Sequence, residues 1–203
     1  LTFDSFLLPE VAFKPYPSAR QLHAGVEALL KILRRTSLTP SAIEEIELFL
    51  PAQNAAMMNR PSITATHAAT VGSGQYVMAV TALCGKIDLL SFGEEHLGSE
   101  KVRTLMAKVK VSASTDLDRH YPKYWSGRVA VRLLDGQSYS EEVIIPKGES
   151  GNPMTQNDVE EKFLSLAGPA VGDQKARSAI DQVSSLESLN SIRPLLTGLK
   201  LSG

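Results

Sequence analysis

Val129-Ala130-Val131-Arg132-Leu133-Leu134-Asp135-Gly136-Gln137-Ser138-Tyr139 is the stretch on which the fold turns. Val129, Val131 and Leu133 alternate with Ala130 and Arg132, the two-residue period of a strand with one buried face. Asp135-Gly136 supplies a tight turn and Tyr139 to Ile145 runs back, so the sequence predicts a β-hairpin. Ile46, Leu48 and Leu50 alternate with Glu45, Glu47 and Phe49 in a second strand that Pro51 ends. Val109, Val111 and Ala113 mark a further extended segment. The acidic Glu44, Glu45 and Glu47 admit two readings, metal binding or the solvated face of that strand.

Helical periods surround these strands. Leu22, Val26, Leu29, Leu30 and Leu33 predict an amphipathic helix from Ser18 to about Arg35. A second helix is expected from Thr66 to Leu83, a third from Ser99, and a fourth opened by Thr155 and Asp158 and ended by Gly168-Pro169. Residues 173–186 read as another helix and Ile192 to Leu199 as a short last piece. Residues 52–65 and 114–126 read as loops, and Phe3, Phe6, Leu7 and Leu8 as a packed entry segment. The order predicts an α+β fold, a small mainly antiparallel sheet with helices packed on it and a helical C-terminal tail.

Composition narrows the function. A formal net charge of −1 over 203 residues lacks the clustered basic excess of a nucleic-acid binder. No window reaches the ~20 apolar residues of a membrane-spanning helix. The single cysteine, Cys84, cannot form an internal disulfide, which fits a reducing cytoplasmic setting, and it reads as an inert packing residue. The chain begins at Leu1 rather than methionine, as a processed product or a piece of something longer would.

One stretch concentrates chemistry: Lys14-Pro15-Tyr16-Pro17-Ser18-Ala19-Arg20-Gln21-Leu22-His23. Two prolines hold an extended path, and Ser18 three residues before Gln21 has capping-box spacing. Lys14, Arg20 and the positive end of the following helix would form a pocket for a carboxylate or phosphate. The alternative is that both cations are solvated and the prolines merely turn the chain. His23 reads as an active-site imidazole or a half-buried packing residue. Gly72-Ser73-Gly74, inside the expected second helix, signals close backbone approach rather than a dinucleotide fingerprint, because no strand leads into it and a third glycine is missing. Lys147-Gly148 with Gly151-Asn152-Pro153 is a weak phosphate-loop candidate or a plain surface turn.

Taken in order, four passages resemble the C-terminal region of the MmgE/PrpD family, which includes 2-methylcitrate dehydratases, cis-aconitate decarboxylases and an iminodisuccinate epimerase. They are Lys14-Pro15-Tyr16-Pro17 with Arg20 and His23, Ser73-x-x-Tyr76-Val77-x-Ala79 with Gly85, the strand ending at Asp135-Gly136, and Lys147-Gly148 with Asn152-Pro153-Met154-Thr155 and Glu161-Lys162-Phe163. The resemblance implies an α+β lid-type domain over residues 1–167 and C-terminal helices over 168–203 that pack on an N-terminal helical domain absent from this sequence. It further implies a cofactor-independent, metal-free lyase of the dehydratase type acting on a di- or tricarboxylic acid, homodimeric when full length and inactive as this piece alone. Epimerase or decarboxylase activity on a similar acid, or a non-catalytic interaction domain, are the alternatives. By motif, Lys14 would hold a substrate carboxylate and Tyr76 would donate a proton or hydrogen bond from the cleft wall. Ser18, Arg20 and His23 would complete the substrate contacts. Ala19, where relatives often carry Cys or His, and Val71, where they often carry Lys or Arg, depart from the pattern.

Overall fold

The computed structural model describes residues 8–62 and 66–200, and the entry-segment residues Phe3, Phe6 and Leu7 lie outside them. The chain separates into two compact units, Leu1–Pro153 and Met154–Gly203. In the first, a 3₁₀ turn Arg20–Leu22 leads into α1, His23–Thr36, and strand β1 follows at Ile43–Leu50. Between β1 and β2 (Val109–Ala113) lie α2 (Ala52–Met58), α3 (His67–Thr70), α4 (Gly74–Cys84), α5 (Glu94–Leu97) and α6 (Glu100–Met106). After α7 (Thr115–Asp118), strands β3 (Gly127–Leu133) and β4 (Ser138–Val143) form the expected hairpin.

The sheet order is β2-β1-β3-β4. β1 pairs antiparallel with β3 (Ile46 opposite Val131, Leu48 opposite Val129) and β3 antiparallel with β4. Only the β1–β2 pair is parallel, with Leu48 opposite Val111, as a crossover through several helices permits. The alternating residues Ile46, Leu48, Leu50, Val129 and Val131 are buried to 0% exposure, so the period of two does place one face in the core. α1 covers β3 and β4, while α4 lies over β2 and packs on α6. The acidic residues of β1 have protein partners: Glu44 accepts from Arg132 at 2.8 Å, Glu45 meets Lys110 and Arg132, and Glu47 accepts from the Ser112 hydroxyl at 2.6 Å. Among the described residues no helix is long and apolar enough to cross a membrane.

Two expectations for the segment between β1 and β2 need correction. The stretch read as a loop from residue 52 opens with α2; its Ala-Gln-Asn-Ala-Ala-Met-Met sequence is helix-compatible but too short to show a period. The single helix expected from Thr66 to Leu83 is two, α3 and α4, broken at residues 71–73, where Ser73 caps α4 by accepting from the Tyr76 amide at 3.1 Å. Close backbone approach is real at Gly74, where a Cβ would lie 2.8 Å from Val111 Cγ2 and 3.1 Å from the Met58 carbonyl oxygen.

In the second unit, α8 (Gln156–Val171) packs against α9 (Asp173–Ser184), with α10 (Arg193–Gly198) after them. The Thr155–Asp158 capping box is formed. Gly168-Pro169 does not end α8, which continues to Val171. Proline there removes one helical hydrogen bond near the end, and the preceding glycine has no Cβ to oppose the proline ring.

Candidate functional site

The segment from Phe13 to His23 is held from two sides. Its Phe13 amide donates to the Gly148 carbonyl at 2.8 Å, and Arg20 Nε donates to Glu149 Oε1 at 2.7 Å while its Nη2 pairs with Oε2. The guanidinium also lies over the Trp125 ring, 4.8 Å from its centroid. On the other side the Ala19 amide donates to the Val71 carbonyl at 2.8 Å. The loop that receives Phe13 and Arg20 is fixed in turn, because the Lys147 amide donates to Glu27 Oε2 on α1 at 2.8 Å. Passages distant in sequence thus meet at the start of α1.

His23 opens α1 and is 2% exposed. Its Nε2 lies 3.3 Å from the Ser18 carbonyl, which can only accept, so Nε2 carries the proton. Burial, with Lys14 and Arg20 nearby, lowers its pKa to about 4, so the ring is neutral at pH 7. Lys14 is exposed and close enough to His23 to oppose its protonation. Lys14 and Arg20 therefore both act electrostatically on His23.

Ser18 sits elsewhere than expected. It is 1% exposed, it does not cap the helix, and its hydroxyl has no hydrogen-bond partner among the described residues. Its backbone carbonyl faces His23 instead. α1 starts at His23, four residues later than a Ser18 cap requires, after the 3₁₀ turn Arg20–Leu22.

Tyr76 is a core residue of this unit, with 0% exposure. Its hydroxyl donates to the Ser91 carbonyl at 2.8 Å and its ring lies 5.7 Å from that of Phe92. Burial pushes the phenol up to about 12. Two other buried polar side chains of this helix are bonded as well: Gln75 accepts from the Arg60 amide and donates to Asn59, and Thr81 donates to the Val77 carbonyl at 2.7 Å. Cys84 is half-buried with its thiol pushed up by burial, 3.9 Å from His96 Nε2.

Sequence reasoning missed Glu149 and Trp125. Neither carries a local signal, since both stand in connecting segments and Glu149 lies 129 residues from the arginine it binds. The two departures noted above, Ala19 and Val71, turn out to be hydrogen-bonded neighbours. One small region therefore lacks both polar side chains.

The family model of the MmgE/PrpD C-terminal domain matches residues 16–188. Human cis-aconitate decarboxylase is 30% identical over 196 residues, covering 94% of this chain and 40% of that protein. The mouse cis-aconitate decarboxylase is 28% identical over 198 residues, with the same shares of 94% and 40%. That of Aspergillus terreus is 28% identical over 195 residues, 92% of this chain and 40% of its own length. The chain thus spans about 40% of the length of the curated relatives it matches. It belongs to the MmgE/PrpD family, of which it carries the C-terminal domain.

Proposed function

We propose that this domain forms one wall of the active-site cleft of a cofactor-independent lyase acting on a di- or tricarboxylic acid, with Lys14 as a carboxylate ligand. The observation that carries it is the group of Lys14, Arg20 and neutral His23 on one restrained segment. The relatives' names favour decarboxylation over the dehydration of 2-methylcitrate. Loss of CO₂ leaves an electron pair on carbon that must be protonated, whereas dehydration removes a proton and expels hydroxide. Both build negative charge beside carboxylates, and a fixed cation stabilises that charge.

Neither His23 nor Tyr76 supports a proton-donor role. His23 is neutral above about pH 4, and Tyr76 holds its proton on the Ser91 carbonyl. The acid or base in this reading comes from the helical domain implied by the family. Absence of polar side chains at Ala19 and Val71 argues that recognition near them differs from that of relatives carrying Cys, His, Lys or Arg there.

The test is turnover by the full-length enzyme, comparing CO₂ release from cis-aconitate with alkene formation from 2-methylcitrate. Lys14→Ala should lower kcat/KM for the accepted acid by roughly 10²-fold or more. Unchanged turnover in that variant removes Lys14 from the site. Dehydration without CO₂ release restores the dehydratase reading.

A further inference from the structure

Arg20 has the residue type and the position to take a substrate carboxylate, yet its fork already holds one. Nε and Nη2 grip both oxygens of Glu149, whose side chain is only 12% exposed against 39% for Arg20. A carboxylate so withdrawn from water depends on its partner, because removing one member of a desolvated pair strands the other. The planar guanidinium is further aligned by lying over Trp125.

The loop behind Glu149 is closed on itself. The Gly148 amide donates to the Asn152 carbonyl at 2.8 Å, the Asn152 amide to the Glu149 carbonyl at 2.9 Å, and Asn152 Nδ2 to the Ile145 carbonyl at 3.0 Å. Gly148 and Glu149, adjacent in this closed loop, hold Phe13 and Arg20 respectively. Lys14 directly follows Phe13, so it stands between two anchors set on one rigid turn.

We propose that Glu149 is a positioning residue for this wall: its pair with Arg20, aligned by Trp125, fixes the segment that presents Lys14. Arg20 acts as a strut rather than as a substrate ligand. The consequence for substrate rests on the lyase reading above, while the strut itself does not.

The experiment uses the full-length enzyme and its Glu149→Gln, Arg20→Lys and charge-swapped Arg20→Glu/Glu149→Arg variants. Binding of tricarballylate, a non-reacting tricarboxylate, is measured by calorimetry, and exchange of the Phe13 amide by hydrogen–deuterium exchange. Glu149→Gln should weaken tricarballylate roughly tenfold, the scale of a hydrogen bond to a charged group. It should raise KM more than it lowers kcat and speed Phe13 exchange by a similar factor. The swap should recover most of both effects, and it keeps the test informative if a single variant fails to fold. Tighter or unchanged tricarballylate binding in Glu149→Gln overturns the proposal, since Arg20 would then be a ligand that Glu149 competes for or ignores. If the wild type binds no tricarballylate and turns over neither acid, the lyase reading falls. Phe13 exchange then still decides the strut, and an unchanged rate in Glu149→Gln refutes it.

Discussion

Tyr16 meets His23 edge to face, with ring centroids 5.3 Å apart and planes at 77°. The contact seats the tyrosine of the proline-bracketed segment on the first residue of α1, and so ties the extended path to the helix. Edge-to-face geometry suits a neutral ring. Together with the Ser18 carbonyl, it makes His23 a buried joint rather than a solvent-side base.

That placement has a pH consequence. The folded pKa of about 4 lies below the usual 6.5, so between these values the unfolded chain binds the proton and the folded one does not. Stability is therefore fully present above about pH 6.5 and is lost as pH falls toward 4, by roughly 3 kcal/mol in all. Urea midpoints measured across this range should decline on the acid side. His23→Gln, which keeps a donor for the Ser18 carbonyl but cannot titrate, should flatten the decline. An equally steep curve in the variant would show that another group is responsible.

Tyr76→Phe separates anchoring from proton donation. The change leaves the buried Ser91 carbonyl without its donor, a loss of about 1–2 kcal/mol. Folded-state stability should fall by that much, while kcat of the full-length enzyme changes less than about threefold, well short of a general acid's share. The raised phenol also predicts stability present below pH 10 and lost as pH climbs toward 12. A large fall in kcat with intact stability would return Tyr76 to the reaction.

The sheet was legible because a period of two survives in short strands and Asp135-Gly136 marks its turn. α2 was not, since two helical turns of Ala, Asn, Gln and Met present no apolar period. α8 runs past Pro169 because helix-stop chemistry is weak where a glycine precedes the ring and few bonds remain to lose. At the site, Lys14, Arg20 and His23 could be grouped from spacing alone. Their restraint by Glu149 could not, because a pair formed across 129 residues leaves no local pattern.

Two stretches with the same capping-box spacing, Ser18 to Gln21 and Thr155 to Asp158, give opposite predictions. Thr155 accepts from the Asp158 amide at 3.2 Å while Asp158 accepts from the Thr155 amide at 2.7 Å. Thr155→Ala should therefore cost about 1 kcal/mol, seen as faster amide exchange in the first turn of α8. Ser18→Ala removes a buried hydroxyl with no partner among the described residues, and leaving such a group unbonded costs about 1–3 kcal/mol. It should be neutral or stabilising, with tricarballylate binding by the full-length enzyme unchanged. Weaker binding would make Ser18 a ligand.

Gly148 and Gly136 distinguish strain from collision. Both have positive φ, 91° and 86°, which for alanine costs roughly 1–2 kcal/mol. Around Gly136 nothing lies within 4 Å of an added Cβ, whereas at Gly148 that carbon would run into the Phe13 carbonyl and come within 3.0 Å of Pro15 Cδ. Nor can Gly148 retreat, since its amide and carbonyl are both hydrogen-bonded, to Asn152 and Phe13. Gly136→Ala should lose only the conformational share. Gly148→Ala should lose about 1–3 kcal/mol more, the usual cost of overpacking, and should speed Phe13 exchange where Gly136→Ala does not. Equal losses in the two variants, measured by urea denaturation, would mean that the 13–20 segment is not pinned by this loop.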